Sequence, residues 1–247
     1  MKHCFRIFIL IVIAMATASS AAATEAAADT TAYGRTERKA TRFRNDAEWL
    51  NASAMYSLLL EAKPHLAENY ANAIISNAML GDTLAVVNIL ERSMTHNVPI
   101  DSVFADVQEI TTRLGVSHLY EELLIDSARH FPWMQRGLNG YLLKYYTYRN
   151  NGPKMVEYAR IMLSGMPESV EFMRLLAKGY LLSDSTEDAV SVWREILANH
   201  PDNLPTLLDL GNYYVSTGAM SKARPYLELA NRLNPTPYLT DLLRDSK

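Results

Sequence analysis

From Asp46 onward, apolar residues recur at intervals of three and four, and no stretch alternates apolar and polar residues at a period of two. The first spacing places apolar side chains along one face of an α-helix, whereas strict alternation would indicate a β-strand. Helix-breaking residues interrupt the pattern, so each helix should have about 11 to 18 residues. The breakers are Pro64, Gly81, Pro99, Gly115, Pro132, Gly152, Pro167, Ser183, Pro201, Gly218 and Pro235. This pattern predicts an all-α chain of short antiparallel helices, arranged either as a bundle or as a solenoid.

The C-terminal part of the chain repeats its own pattern at a period of 34 residues. Leucine, tyrosine and proline each return through two successive shifts. The members are Leu142, Leu176 and Leu210, then Tyr146, Tyr180 and Tyr214, and finally Pro167, Pro201 and Pro235. A fixed period of this size is typical of stacked helix pairs, which favours a solenoid over a bundle.

These residues resemble the tetratricopeptide repeat, whose pattern is W-x2-L-G-x2-Y, then a small residue, an aromatic residue and a proline. At the family's positions stand Leu207, Leu210, Gly211, Tyr214, Ala223, Leu227, Ala230 and Pro235. The resemblance is clearest over residues 136–169, 170–203 and 204–237. It implies a right-handed solenoid of antiparallel helix pairs within a repeat domain over residues 46–247. We predict a leading helix, five helix pairs from about residue 65, and a short closing helix.

The small residues of the pattern have a packing role. Gly211, like Ala177 one repeat earlier, allows the two helices of a pair to approach closely, and Ala223 or Ala189 faces that contact. In this register Pro225 belongs in or next to the first turn of its helix.

Residues 1–23 have the layout of a secretory signal peptide. Lys2 and Arg6 precede an apolar run from Ile7 to Met15, and small residues follow it. The alternative is a transmembrane anchor, but a span needs about 20 apolar residues and this run is shorter. Cleavage would remove Cys4, the only cysteine. It would also remove two of the 24 basic residues and none of the 27 acidic ones, which changes the formal net charge from −3 to −5. We therefore expect an exported protein, periplasmic or associated with the cell envelope, without disulfides.

Residues 24–45 lack apolar periodicity and mix small, polar and basic residues, so we predict a flexible linker. Its cations would either contact acidic lipid headgroups or an acidic partner, or remain solvated. Membrane association is expected only through this N-terminal part of the chain. The basic residues of the linker are Arg35, Arg38, Lys39, Arg42 and Arg44.

The sequence contains no G-x-S-x-G, P-loop, G-x-G-x-x-G or H-E-x-x-H motif. We therefore predict no enzymatic activity and no cofactor. The nearest metal-binding candidate places His118 and Glu122 on one helical face, which Asp126 and His130 extend. Because solvated helix faces commonly carry the same residues, no metal site is predicted there.

Polar residues at the groove positions of the repeats form a candidate binding site. The resemblance implies that the first helix of each pair lines a concave groove and that its ninth position points inward. Three cations and an amide along this face would suit an anion or an acidic peptide, unless these side chains are merely solvated. The set partly resembles the carboxylate clamp with which chaperone-binding members grip a peptide C-terminus. The candidate peptide-binding residues are Lys144, Tyr148, Arg174, Lys178 and Asn212.

The sequence thus predicts an exported, non-enzymatic scaffold or adaptor that binds a protein or peptide partner in a bacterial cell envelope. Its net negative charge does not attract nucleic acid. Two alternatives stay open: a structural component of a membrane-bound envelope assembly, and a metal-binding, hydrolase-type protein centred on His118, Glu122 and His130. The adaptor function rests partly on analogy with the family.

Overall fold

The computed structural model describes residues 32–245, and the regular structure of this range is helical throughout, without a β-strand. This result confirms the all-α prediction. The predicted signal peptide of residues 1–23 lies outside the described range, so cleavage and export stay predictions. Within the described range, no helix combines the length and the hydropathy that a bilayer span requires.

The helices follow one another through short turns. Helix α1 covers residues 32–45. The next helices are α2 (Trp49–Ala62), α3 (Ala67–Met79), α4 (Thr83–Thr95), α5 (Ile100–Arg113), α6 (Ser117–His130), α7 (Gln135–Tyr148), α8 (Gly152–Gly165), α9 (Val170–Leu181), α10 (Thr186–Asn199), α11 (Leu204–Ser216), α12 (Met220–Leu233) and α13 (Pro237–Asp245), with a 3-10 turn at Pro132–Met134. In the described chain, α3/α4 through α11/α12 form the five helix pairs that the breakers predict, and α13 is the closing helix.

The chain divides into two compact units, the first ending at Leu123 and the second beginning at Leu124. The single repeat domain predicted over residues 46–247 therefore stays a prediction. In the second unit, each helix from α8 to α12 packs against the helix before it and the helix after it. This nearest-neighbour packing of helix pairs is the arrangement that the tetratricopeptide-like pattern predicts.

The core of the second unit alternates small and large side chains. Ala189 and Ala223 are fully buried beside the bulky side chains of Trp193, Leu210 and Leu227. A Cβ atom built on Gly211 would collide with the Leu227 side chain, so α11 and α12 approach each other as closely as the small residues of the pattern require.

Helix α3 is the centre of the first unit. It packs against α2, α4 and α5, and all nine of its residues from Asn69 to Asn77 are buried. This run includes four polar side chains, and three of them (Asn72, Ser76 and Asn77) donate hydrogen bonds to backbone oxygens of α3 itself.

The backbone conformation of the turns within the helix pairs also repeats along the chain. One residue in the turn between the two helices of each pair is left-handed, with φ between 51 and 73°. Glycine or asparagine is typical at such a position, since other residues pay a steric penalty there. These residues stand 34 or 35 positions apart, and they are Ala47, Gly81, Gly115, Asn150, Asp184 and Gly218.

The flexible linker predicted for residues 24–45 is wrong where the structure describes it. Residues 32–45 form α1, and Ala47 places α1 and α2 in the same register as the later pairs. Ala40 and Ala52 are both fully buried, as are Ala177 and Ala189 at the corresponding positions. The first described pair is therefore α1/α2. The basic composition of α1 resembles that of a linker, because only a few residues of this helix are buried.

Pro225 also departs from the prediction. It is the sixth residue of α12, beyond the first turn, where a proline removes one backbone hydrogen bond. The register is nevertheless kept, because Ala223, Leu227 and Ala230 are all fully buried.

A buried polar network attaches α1 and α2 to α3. The guanidinium of Arg44 donates to the Asn72 side-chain oxygen. Tyr33 Oη donates to Asn69 Oδ1 at 3.2 Å. Burial raises the pKa of the Tyr33 phenol above its usual value. Arg44, one of the cations assigned to the linker, is therefore a buried structural residue.

Replacing Arg44 should destabilise the first unit. Arg44→Ala leaves the buried oxygen of Asn72 without its charged donor, and we expect a loss of about 1–2 kcal/mol in the free energy of unfolding. Lys39→Ala removes an exposed cation from the same helix and should change stability by less than about 0.5 kcal/mol. Urea denaturation of the two variants measures the difference, and equal midpoints would show that the Arg44 contact contributes nothing.

Candidate peptide-binding groove

A groove of about 530 Å³ lies in the second unit, formed by side chains of α9, α10 and α11. It contains three of the five predicted site residues: Arg174, Lys178 and Asn212. The first two lie one turn apart on α9, and Asn212 occupies on α11 the repeat position that Lys178 occupies on α9.

Arg174 is already paired. Its Nε and Nη2 atoms lie 2.8 and 2.7 Å from Oδ2 of Asp209 on α11. Both side chains are about one-third exposed, so the pair fixes the guanidinium across the groove between two first helices. Glu171 adds a second carboxylate to the lining. Two cations therefore face two carboxylates, and the expectation of a basic groove is wrong for this part of the chain.

Lys178 is the cation of the groove that is exposed and has no ion pair with any described residue. Asn212 is exposed on the neighbouring first helix and can both donate and accept hydrogen bonds. An anionic group in the groove would meet Lys178 before Arg174, because the latter is held by Asp209.

The groove also has an apolar wall, which the sequence analysis did not assign to the site. Leu175, Leu181, Trp193 and Tyr213 contribute to it. The rings of Trp193 and Tyr213 lie 5.9 Å apart, centroid to centroid. The sequence could have indicated Tyr213 as a groove residue, because it directly follows the predicted site residue Asn212 on the same first helix.

The other two predicted residues do not line this groove. Lys144 is exposed on α7, at the repeat position of Lys178, and Tyr148 at the end of α7 is 81% exposed. Their assignment to a peptide site stays a prediction.

The histidine-containing helix is α6. Arg129 Nη1 lies 2.8 Å from Asp126 Oδ1, and the His130 ring contacts the Asp126 carbonyl oxygen at 2.9 Å. Among residues 32–245, no three His, Cys, Asp or Glu side chains come together as a set of metal ligands.

Fold and groove together define a chain of tetratricopeptide-like helix pairs with a mixed polar and aromatic groove. No protein-family model matches the sequence, and no curated protein matches it either. Among solved structures, the chain is similar to the C-terminal part of a TPR repeat-containing protein from Cytophaga hutchinsonii, with 15% identity, a TM-score of 0.46, and coverage of 79% of this chain and 78% of that one.

Two other similar structures are larger. The Cut9–Hcn1 hetero-tetramer of APC/C has 13% identity and a TM-score of 0.45 over 83% of this chain and 40% of that one. A human IFIT1 dimer with PPP-AAAA has 17% identity and a TM-score of 0.44 over 80% of this chain and 49% of that one. At these values the similarities identify neither a partner nor an activity.

Proposed function

We propose that this protein is a non-enzymatic scaffold that binds an extended peptide segment of a partner protein in the groove between α9 and α11. The observation that carries the proposal is the combination of an exposed cation, an amide and an apolar wall in one open groove. Lys178 and Asn212 would bind polar groups, while the half-buried Leu175 and Tyr213 would contact an apolar side chain.

The partner's chemistry follows from the charges of the lining. Because Asp209 and Arg174 neutralise each other, a polyanionic segment would be attracted by Lys178 alone and repelled by Glu171. A peptide with one carboxylate next to an apolar or aromatic residue fits better, with the carboxylate at Lys178. A charge-assisted hydrogen bond of this kind contributes about 1.5–3 kcal/mol when partly enclosed.

The place of action belongs to the same proposal. The apolar run from Ile7 to Met15 and the small residues after it support export to the cell envelope. There the protein would act as a soluble adaptor after cleavage. If the segment is retained, it would act as part of a membrane-bound assembly. Sequencing the N-terminus of the native protein, together with cell fractionation, distinguishes the two.

The repeat itself supplies a matched pair of variants for the groove. Lys144 and Lys178 occupy the same position of successive first helices, and both are exposed, but only Lys178 lines the groove. Lys178→Glu should weaken partner binding at least tenfold, which corresponds to about 1.4 kcal/mol. Lys144→Glu should leave it nearly unchanged.

The measurement is a titration of the partner captured from envelope extracts by the wild-type protein, at low and high salt. Binding by the wild type should weaken as salt rises, because exposed charges are screened. Equal losses in both variants would point to net charge and not to the groove. Undiminished binding by Lys178→Glu would place the site elsewhere.

A further inference from the structure

The exposed face of α1 carries four cations. Arg35, Arg38, Lys39 and Arg42 stand at intervals of three and four, which places them side by side along the helix. All four are exposed, and none forms an ion pair with another residue of the described range. We call these four residues the α1 basic face.

The repeat register shows that this face is normally covered. Lys39 stands eight residues before the left-handed Ala47. In each later pair, the residue eight positions before the left-handed turn residue is buried. Those residues are Ala73, Val107, Leu142, Leu176 and Leu210.

The flanking positions follow the same rule. At the position of Arg35 the next two repeats have the buried Asn69 and Val103. At the position of Arg42 they have the buried Ser76 and Ile110. In later pairs these positions are on the first helix, which packs against the preceding pair, as α3 does against α2, α5 against α3 and α9 against α8. For α1 the described chain has no preceding helix.

An outer face that no described neighbour covers must be polar, but it does not need four adjacent cations. Like charges three and four residues apart on a helix repel each other and destabilise it, whereas charges of alternating sign would stabilise it. The spacing of the α1 basic face creates such like-charge pairs along the helix, although the carboxylates of Glu37 and Asp46 line a cavity beside Arg38 and Arg42. An external anion would relieve this repulsion.

We propose that the α1 basic face binds the anionic headgroups of a phospholipid bilayer. Two features of the chain favour a bilayer over an acidic protein. The face begins about 20 residues after the apolar run of Ile7 to Met15, whose layout is typical of a segment that enters a membrane during export. Four adjacent exposed cations on one helix can also contact several headgroups at once, each cation contributing to membrane affinity.

The test is flotation of the protein, isolated from cells with its N-terminus sequenced, with vesicles of phosphatidylcholine alone or mixed with phosphatidylglycerol. Any binding through the apolar run should occur with both vesicle types, so the preference for the anionic vesicles reports on the α1 basic face. The wild type should prefer them by more than about tenfold at low salt, and the preference should decline as salt rises.

The variant replaces Arg35, Arg38, Lys39 and Arg42 by Gln, and its control replaces Arg113, Arg129, Lys222 and Arg232, which are also exposed, by Gln. Both lose the same formal charge. We expect the first to lose the preference and the second to keep it, with the melting temperature of the first unchanged or slightly raised. Should it fail to fold, the double variant Arg35→Gln, Lys39→Gln should lose about half of the effect on a logarithmic scale.

Three results would overturn the proposal. The control could lose the preference equally, which would assign it to net charge. The wild type could bind both vesicle types equally. An immobilised acidic peptide could bind the α1 basic face while anionic vesicles do not, which would identify a protein partner.

Discussion

Gly152→Ala is expected to destabilise the protein by about 2–3 kcal/mol, although alanine is the better helix former. Gly152 begins α8 and is buried against the end of α9. A Cβ atom at this position would lie 2.6 Å from Ser183 Oγ, 2.7 Å from the Leu182 carbonyl carbon and 2.8 Å from its oxygen. Carbon atoms in contact normally stay about 3.5–4.0 Å apart. Because two of the opposing atoms are backbone atoms, the helices must separate.

The control is Gly137→Ala on α7, where an added Cβ would meet no atom within 4 Å. There helix propensity alone should act, so we expect stability to rise by up to about 1 kcal/mol. Opposite shifts in melting temperature, measured by circular dichroism, would support the close approach of α8 and α9. Stabilisation by both substitutions would contradict it.

Much of the fold could be predicted from sequence because the packing residues repeat. Tyr214, Ala223 and Pro235 return at a period of 34, and the structure places helix pairs at that period. The residues that pack the two helices of a pair together are mostly small or aromatic. Their spacing is kept even where one residue type replaces another.

Helix α1 was not predicted, because the amino-acid composition of residues 24–45 favoured a linker and their position in the repeat was not considered. Its cations and small residues are typical of a linker, and its apolar stripe is thin. The repeat pattern was nevertheless present in the sequence. Relative to Ala47, small residues stand 7 positions before (Ala40) and 5 after (Ala52), and a proline stands 17 after (Pro64). Gly211, Ala223 and Pro235 have the same three offsets from Gly218. This pair is hard to detect from sequence, because positions that are buried in the following repeats carry exposed cations in α1.

The groove shows a different limit. Repeat positions indicated that Arg174, Lys178 and Asn212 share one groove, but they did not reveal the ion pair that cancels one of the charges. Asp209 stands 35 residues after Arg174, on the next first helix. Whether two such side chains meet depends on rotamers and on helix separation, which periodicity does not determine.

The contact between α11 and α12 offers the second large effect. Ala223 is fully buried in the core cluster that contains Leu210, Tyr214 and Leu227. Gly211 leaves no room for a Cβ atom beside the Leu227 side chain, so the contact between α11 and α12 is already tightly packed. Ala223→Leu should therefore lower the free energy of unfolding by about 3 kcal/mol, at the upper end of the range for overpacked cores.

Lys222→Leu introduces the same side chain at the adjacent position, which is exposed. It should change stability by less than about 0.5 kcal/mol, because leucine and lysine have similar helix propensities and nothing there is overpacked. In a chain of this length, about 3 kcal/mol corresponds to a fall of roughly 6–12 °C in melting temperature. Thermal unfolding followed by circular dichroism measures both variants. Equal melting temperatures would mean that Ala223 does not face the contact within its pair, and the repeat register of α11 and α12 would have to be shifted.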